Sequence, residues 1–198
     1  EGNSFGQIYF EHLSYFTITP LKKLCDETDM KIISVEKFDI HDGTVRVTIT
    51  HNYSNREVTK SVQDFMEKET YLGYTNLYKY NGWSSIVNTT INDIKECVKK
   101  LKADNKTVCC FGASAKGNTL LNSCQFTNED ISYIIDDTPE KQELYSPGTG
   151  IPILGMKELE GNPTDYLMIL AWNFSKEIQE KLKGKYHGRI IVPIPTIE

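Results

Sequence analysis

The feature that most limits how this chain can fold is the passage from Lys106 to Asn118. An uninterrupted apolar run, Val108-Cys109-Cys110-Phe111, stops on Gly112-Ala113-Ser114-Ala115-Lys116-Gly117. A short apolar run closed by a small-residue turn reads as a strand buried on both faces. Strands of that kind belong to parallel sheets covered by helices. The residues beyond it keep the same alternation. Thr119 to Phe126 reads as a helix, and Ile131 to Ile135 as a second strand ending on Asp136-Asp137. Pro139 to Pro152 is irregular, because Pro147-Gly148-Thr149-Gly150 forces turns. Met156 to Leu159 reads as a short helix and Tyr166 to Ala171 as a third strand. Phe174, Ile178 and Leu182 make an amphipathic helix, and Arg189 to Pro193 a last strand.

The expected fold class is therefore α/β, with a Rossmann-like parallel sheet and flanking helices over residues 106–198. Upstream the pattern changes. Thr19-Pro20-Leu21 is a helix-start signal, with a hydroxyl cap and proline at the first helical position. A strand from Lys31 to Ile40, a His41-Asp42-Gly43 turn and a strand carrying Val45, Val47 and Ile49 on one face then make a hairpin. From Arg56 to about Asn105 the spacing is helical, with Val62, Phe65 and Met66 on one face and Ile91, Ile94, Val98 and Leu101 on another. Gly73 and Asn81-Gly82 are expected to punctuate it. Three parts follow: residues 1–52 as the tail of a larger domain, 53–105 as a helical connector, and 106–198 as the α/β domain.

Composition excludes several classes. With 39% hydrophobic and 25% charged residues the chain is expected to fold. A net charge of −5 argues against a broad nucleic-acid-binding face. No apolar stretch approaches the roughly 20 residues needed to span a bilayer, so no membrane partner is expected. Five cysteines, an odd number with no CxxC pair, read as reduced thiols in a cytoplasmic protein. The chain opens on Glu1-Gly2-Asn3, which reads as a processed chain or an excised domain.

Two constellations carry chemistry. Gly112 to Gly117 follows a strand and opens a helix, where backbone N–H groups and the helix dipole favour an anion. Lys116 adds a positive charge, and Asp136, 24 positions after Gly112, ends the next strand, where such folds bind a ribose hydroxyl. Ser114 stands where a dinucleotide-binding G-x-G-x-x-G has its middle glycine. The second constellation is Tyr9, Glu11 and His12. A histidine oriented by a carboxylate can remove a proton next to a ketone, and a tyrosine hydroxyl can hold the resulting enolate. In an extended segment Tyr9 and Glu11 face one way and His12 the other, so convergence needs a bend. The alternative is a solvated polar segment. His41, His51 and His187 lack partners at metal-ligand spacing, and no metal site is expected in this chain.

These segments together resemble sugar C-methyltransferases that depend on S-adenosylmethionine (SAM). Tyr9-Phe10-Glu11-His12-Leu13-Ser14-Tyr15-Phe16 is similar to their Y-x-E-H-L-S-Y-F. His41 to Val47 resembles H-G-G-S-L-R-V, with Asp42 and Thr44 as departures, and Phe111 to Asn122 resembles Y-G-A-x-A-K-G-N-T-L-L-N. Asp136 to Ile153 is similar to D-x-S-P-x-K-Q-G-x-Y-x-P-G-T-x-I-P-I, with Glu143 in place of glycine. Leu170 to Phe174 and Ile191 to Pro195 complete the series. The resemblance implies methylation of a carbon beside the keto group of a nucleotide-linked deoxysugar. It implies His12 as the base, with Tyr9 and Glu11 placing the sugar or stabilising the enolate. Gly112, Ser114, Lys116, Asn118, Asp136, Lys141, Trp172 and Asn173 are the candidate substrate contacts. It further implies a SAM-binding domain and a zinc segment upstream, so that this chain alone transfers no methyl group. The other readings are a non-catalytic nucleotide-sugar module and a nicotinamide-dependent sugar oxidoreductase or epimerase; Ser114 argues against the latter.

Overall fold

The computed structural model describes residues 7–9, 11–38, 43–194 and 197. They divide into two compact units. One runs from Leu13 to Ser84; the other gathers the described residues up to His12 with those from Ser85 onward.

In the Leu13–Ser84 unit, helix α1 (Ile18–Glu27) leads into an antiparallel pair, β1 (Met30–Phe38) and β2 (Thr44–His51), followed by α2 (Lys60–Tyr71). Ile18, Cys25, Ile32, Val35 and Val62 form its core. The expected turn residues His41 and Asp42 lie outside the described residues. Helix α1 begins earlier than its Thr19-Pro20 signal suggests: Thr17 is the cap residue, and no side-chain cap bond comes from it. The cap is supplied from α2 instead. Glu69, only 7% exposed, accepts hydrogen bonds from the N–H of Ile18 at 2.5 Å and of Thr19 at 2.8 Å. The Thr19 hydroxyl donates to the same carboxylate at 2.6 Å. The first N–H groups of a helix have no partner inside it, and its dipole favours negative charge there, so one remote carboxylate meets both needs. The apolar side of β2 is less covered than its alternation implies, with Val45 46% and Ile49 38% exposed.

Helix α3 (Leu77–Ala103) passes through Asn81-Gly82 without a break, and the division between the units falls within it. A glycine inside a helix costs about 1 kcal/mol relative to alanine, too little to stop a helix of 27 residues.

The second unit is a five-stranded sheet with the order β5-β4-β3-β6-β7, parallel throughout. Its elements are β3 (Val108–Phe111), α4 (Ala115–Ser123), β4 (Ile134–Ile135), β5 (Ile153–Leu154), α5 (Glu158–Gly161), β6 (Tyr166–Ile169), α6 (Ser175–Leu182) and β7 (Arg189–Ile191). The α/β, Rossmann-like parallel sheet with flanking helices is thus present. Val108, Cys110 and Met168 pack with Ile94, Val98, Leu120 and Leu121 from α3 and α4. Cys109, Phe111 and Leu167 point the other way, onto Leu159, Ile178 and Leu182 from α5 and α6. This period-two division is why the strands read as continuous apolar runs. Among the described residues no helix is long and apolar enough to cross a membrane.

Two expectations need correction here. Helix α4 starts at Ala115 rather than Thr119, so Lys116, Gly117 and Asn118 lie on its first turns and not in a loop. Strand β5 is absent from the sequence reading, because Pro152 beside a two-residue pairing hides it among turn residues.

Glu143, the residue that departs from the family's glycine, has φ of +64° and donates its N–H to Ile153 at 2.8 Å. That conformation costs a residue with a Cβ about 1–2 kcal/mol, while glycine loses roughly 0.5–1 kcal/mol more entropy on folding. Glu143→Gly is therefore expected to raise stability by up to about 1 kcal/mol in a urea titration; a fall would contradict the left-handed turn.

Candidate functional site

The strand order reverses between β3 and β6, since the chain runs outward from β3 to β4 and β5 and then returns to β6 on the other side. In open parallel sheets the crevice outside the carboxyl ends of such strands is where ligands sit. Here it is bounded by the β3–α4 turn and by Leu170 to Asn173. Gly112 has φ of +95°, and a Cβ on it would stand 3.1 Å from Ala171 Cβ. Gly117 is tighter still: a Cβ there would lie 2.7 Å from Leu170 Cβ. The two glycines therefore bring α4 against the segment after β6, one through its backbone conformation and the other through close packing.

Ser114 caps α4, its hydroxyl accepting the Gly117 N–H at 3.1 Å. The serine that departs from the dinucleotide pattern thus has a structural task of its own. The N–H groups of Ala115 and Lys116 and the Lys116 ammonium have no protein acceptor among the described residues. Asn118 Oδ1 and its carbonyl both accept from Asn122 Nδ2, at 3.3 and 2.8 Å, and the same amide donates to Pro147 at 3.0 Å. Across the crevice Trp172, 7% exposed, is packed into the core. Asn173 Oδ1 is buried without a hydrogen-bond partner. A buried amide without a partner is costly in either orientation of its O and N atoms.

Asp136 is 7% exposed and engaged within the fold. Its Oδ2 accepts the Ala113 N–H at 2.7 Å and lies 3.4 Å from Lys141 Nζ, and its Oδ1 accepts the Thr138 N–H at 2.9 Å. Burial alone would raise its carboxyl value. The bonds from Thr138 and Ala113, with the Lys141 charge, outweigh burial and hold it below the ordinary 3.8. Lys141 also donates to the Ala113 carbonyl at 2.9 Å. Sequence reasoning missed Ala113 and Gln142, whose Nε2 donates to the Asp136 carbonyl at 3.0 Å.

The bend that Tyr9 and His12 require is present. The His12 N–H donates to the Tyr9 carbonyl at 2.9 Å, and the two rings stand 4.0 Å apart. His12 Nδ1 is 2.9 Å from the Gln7 carbonyl. A carbonyl has no hydrogen to give, so this bond needs the proton on Nδ1, and a neutral ring then has its basic lone pair on Nε2. Glu11 is exposed.

SAM does not fit this α/β unit. Ala113, Thr138 and Lys141 take up most of the roughly four acceptor positions of the carboxylate that would bind its ribose. Zinc fits no better. Burial pushes the Cys109 and Cys124 thiols up to about 11 and about 12 and raises that of Cys110 as well, so thiolates are disfavoured. Among the described residues no cluster of His, Cys, Asp or Glu is placed to hold a metal ion.

A cleft of about 540 Å³ in the Leu13–Ser84 unit is lined by Tyr15, Phe16, Pro20, Lys23, Tyr74 and Tyr80. The Thr19 hydroxyl donates to Glu69 and that of Tyr80 to the Tyr74 carbonyl, so two of its polar groups are turned to the protein. The density of tyrosines around residues 71–80 was the available sequence signal.

The sequence model of C-methyltransferase C-terminal domains matches residues 39–195. The C-methyltransferase NovU of Streptomyces niveus is 32% identical over 197 residues, covering 98% of this chain and 47% of NovU. The chain thus spans about half the length of that relative.

Close packing at Gly117 is open to a direct check. Overpacking costs about 1–3 kcal/mol, and a Cβ–Cβ approach of 2.7 Å belongs at the upper end. Alanine recovers roughly 1 kcal/mol through helix propensity. Gly117→Ala is expected to lower the denaturation midpoint, and an unchanged or higher midpoint would contradict the contact between α4 and Leu170.

Proposed function

The chain belongs to the family of C-methyltransferase C-terminal domains, and from that premise we propose that it forms the substrate-holding part of a SAM-dependent enzyme that methylates a nucleotide-linked keto-deoxysugar. One observation carries the substrate class. At the sheet's carboxyl edge, the Ala115 and Lys116 N–H groups and the Lys116 ammonium are without protein acceptors among the described residues. Two N–H groups at a helix entrance beside a lysine suit a diphosphate. Gly112 and Ser114 shape that turn, and Asn118 lines its inner side. Asn173 Oδ1 suits a hydroxyl or N–H of the same ligand. A nicotinamide dinucleotide is less well served, because Asp136 is engaged within the protein.

The catalytic part rests on residues 9–12. The Gln7 carbonyl holds His12 in the tautomer whose Nε2 is basic. His12 would take the proton from the carbon next to the keto group, leaving an enolate. Tyr9, its ring tilted 39° against the imidazole at 4.0 Å, would restrict that ring and place the sugar or stabilise the enolate, and the neighbouring Glu11 would add negative charge. SAM supplies the activated methyl group. The family resemblance implies that SAM and zinc are held by upstream parts of the same polypeptide, and the filled acceptors of Asp136 support leaving SAM to them. The exposed Val45 and Ile49 on β2 suit a strand that continues into a larger SAM domain, of which residues 1–52 would be the last elements. Residues 53–105 would be the connector, although α2 shares the core of residues 1–52, and 106–198 the substrate domain. Free cysteines fit a cytoplasmic setting.

Proton removal can be observed apart from methyl transfer. The polypeptide carrying the upstream SAM domain is incubated with a dTDP-linked 4-keto-deoxysugar in deuterium oxide, without SAM. Deuterium is expected at the carbon beside the ketone and is expected to be lost in His12→Asn. Loss of a positioned base is worth about 10²–10⁴-fold in rate. Unaltered exchange in that variant would remove His12 from the role.

A further inference from the structure

The β3–α4 turn is gripped at one residue from both sides. The Ala113 N–H donates to Asp136 Oδ2 at 2.7 Å, and the Ala113 carbonyl accepts from Lys141 Nζ at 2.9 Å. These groups belong to successive peptide planes. Holding both fixes the direction in which the chain leaves Gly112, where a φ of +95° lets it pivot, and enters α4 two residues later. The grip is itself anchored. Asp136 accepts the Thr138 N–H at 2.9 Å, Lys141 lies 3.4 Å from the Asp136 carboxylate, and Gln142 Nε2 donates to the Asp136 carbonyl at 3.0 Å. The carboxylate side chain is 10% exposed. A group so placed has little capacity left for a ligand, and its Oδ2 is given over to the Ala113 N–H and Lys141.

We propose that Asp136 and Lys141 are positioning residues: acting through Ala113, they aim the Ala115 and Lys116 N–H groups, and neither touches the ligand. The functional consequence rests on the diphosphate reading of that turn; the structural one does not. Lys141, its side chain 42% exposed, holds the grip as a donor to two oxygens, the Ala113 carbonyl and the Asp136 carboxylate. Arginine keeps N–H donors and the positive charge, whereas methionine keeps neither.

The test uses Lys141→Met and Lys141→Arg in the whole chain, read first by amide ¹H–¹⁵N chemical shifts without ligand. Lys141→Met is expected to move the signals of residues 112–117, and Lys141→Arg to restore them. Thymidine diphosphate is then titrated over a range of salt concentrations. Affinity is expected to fall about two- to thirteenfold in Lys141→Met, the range given by a net hydrogen-bond contribution of about 0.5–1.5 kcal/mol, with the slope of log affinity against log salt unchanged. A positioning residue leaves that slope alone, whereas a phosphate contact contributes to it. Unmoved signals at residues 112–117, or a shallower slope in Lys141→Met, would overturn the proposal. If thymidine diphosphate binds neither form while the signals respond, the grip stands and the diphosphate reading falls.

Discussion

The carboxylate of Asp136 holds together the end of β4, the turn after β3 and the segment from Thr138 to Lys141. Without it the Ala113 N–H would be left without its acceptor at the carboxyl edge of a buried sheet, where such a group is costly. Much of the crevice follows from this one interaction. Gly112 can take its left-handed conformation because the next peptide is held, and α4 can approach Leu170 as closely as Gly117 allows because its entry is fixed. The Leu13–Ser84 unit uses the same device independently. There Glu69 reaches the first turn of α1 from α2, and a buried carboxylate again meets N–H groups that no helix bond can satisfy. In each case the carboxylate is compensated by donors, which is the condition for burying one.

The fold was legible where the pattern was local. Val108 to Phe111 and Tyr166 to Ile169 announce buried strands because each alternate residue meets a different helix layer. The helix α3 was legible through Ile91, Ile94, Val98 and Leu101. What stayed hidden was non-local. Thr19-Pro20 looks like a complete start signal, yet the cap of α1 comes from Glu69, 50 residues away from Thr19. Strand β5 exists because β4 pairs with it, and two residues beside Pro152 carry no periodicity to read.

The candidate site divides in the same way. Gly112, Ser114 and Lys116 declared themselves through a strand-to-helix context, and the structure gives each a definite local place. Asp136 also declared itself by position, but position could not say that its acceptors would be filled by Ala113, Thr138 and Lys141. Many positions quoted from the family's motifs prove to face one another: Asn122 meets Asn118 and Pro147, Gln142 meets Asp136, and Glu143 occupies a left-handed turn suited to the family's glycine. A motif can mark a latch as readily as a ligand contact. The groups left unmatched, Ala115 and Lys116 on one side and Asn173 on the other, are where a ligand has something to supply.

The central claim is that this chain holds a nucleotide at the β3–α4 turn and leaves SAM to other residues. Calorimetric titration of the chain with thymidine diphosphate, SAM and NADH, each alone, tests it most directly. The account predicts binding of thymidine diphosphate, weakened about tenfold or more by Lys116→Met, as loss of a charge-assisted hydrogen bond of about 1.5–3 kcal/mol requires, and no binding of SAM or NADH. Binding of SAM or NADH by the chain, or thymidine diphosphate affinity indifferent to Lys116→Met, would contradict it.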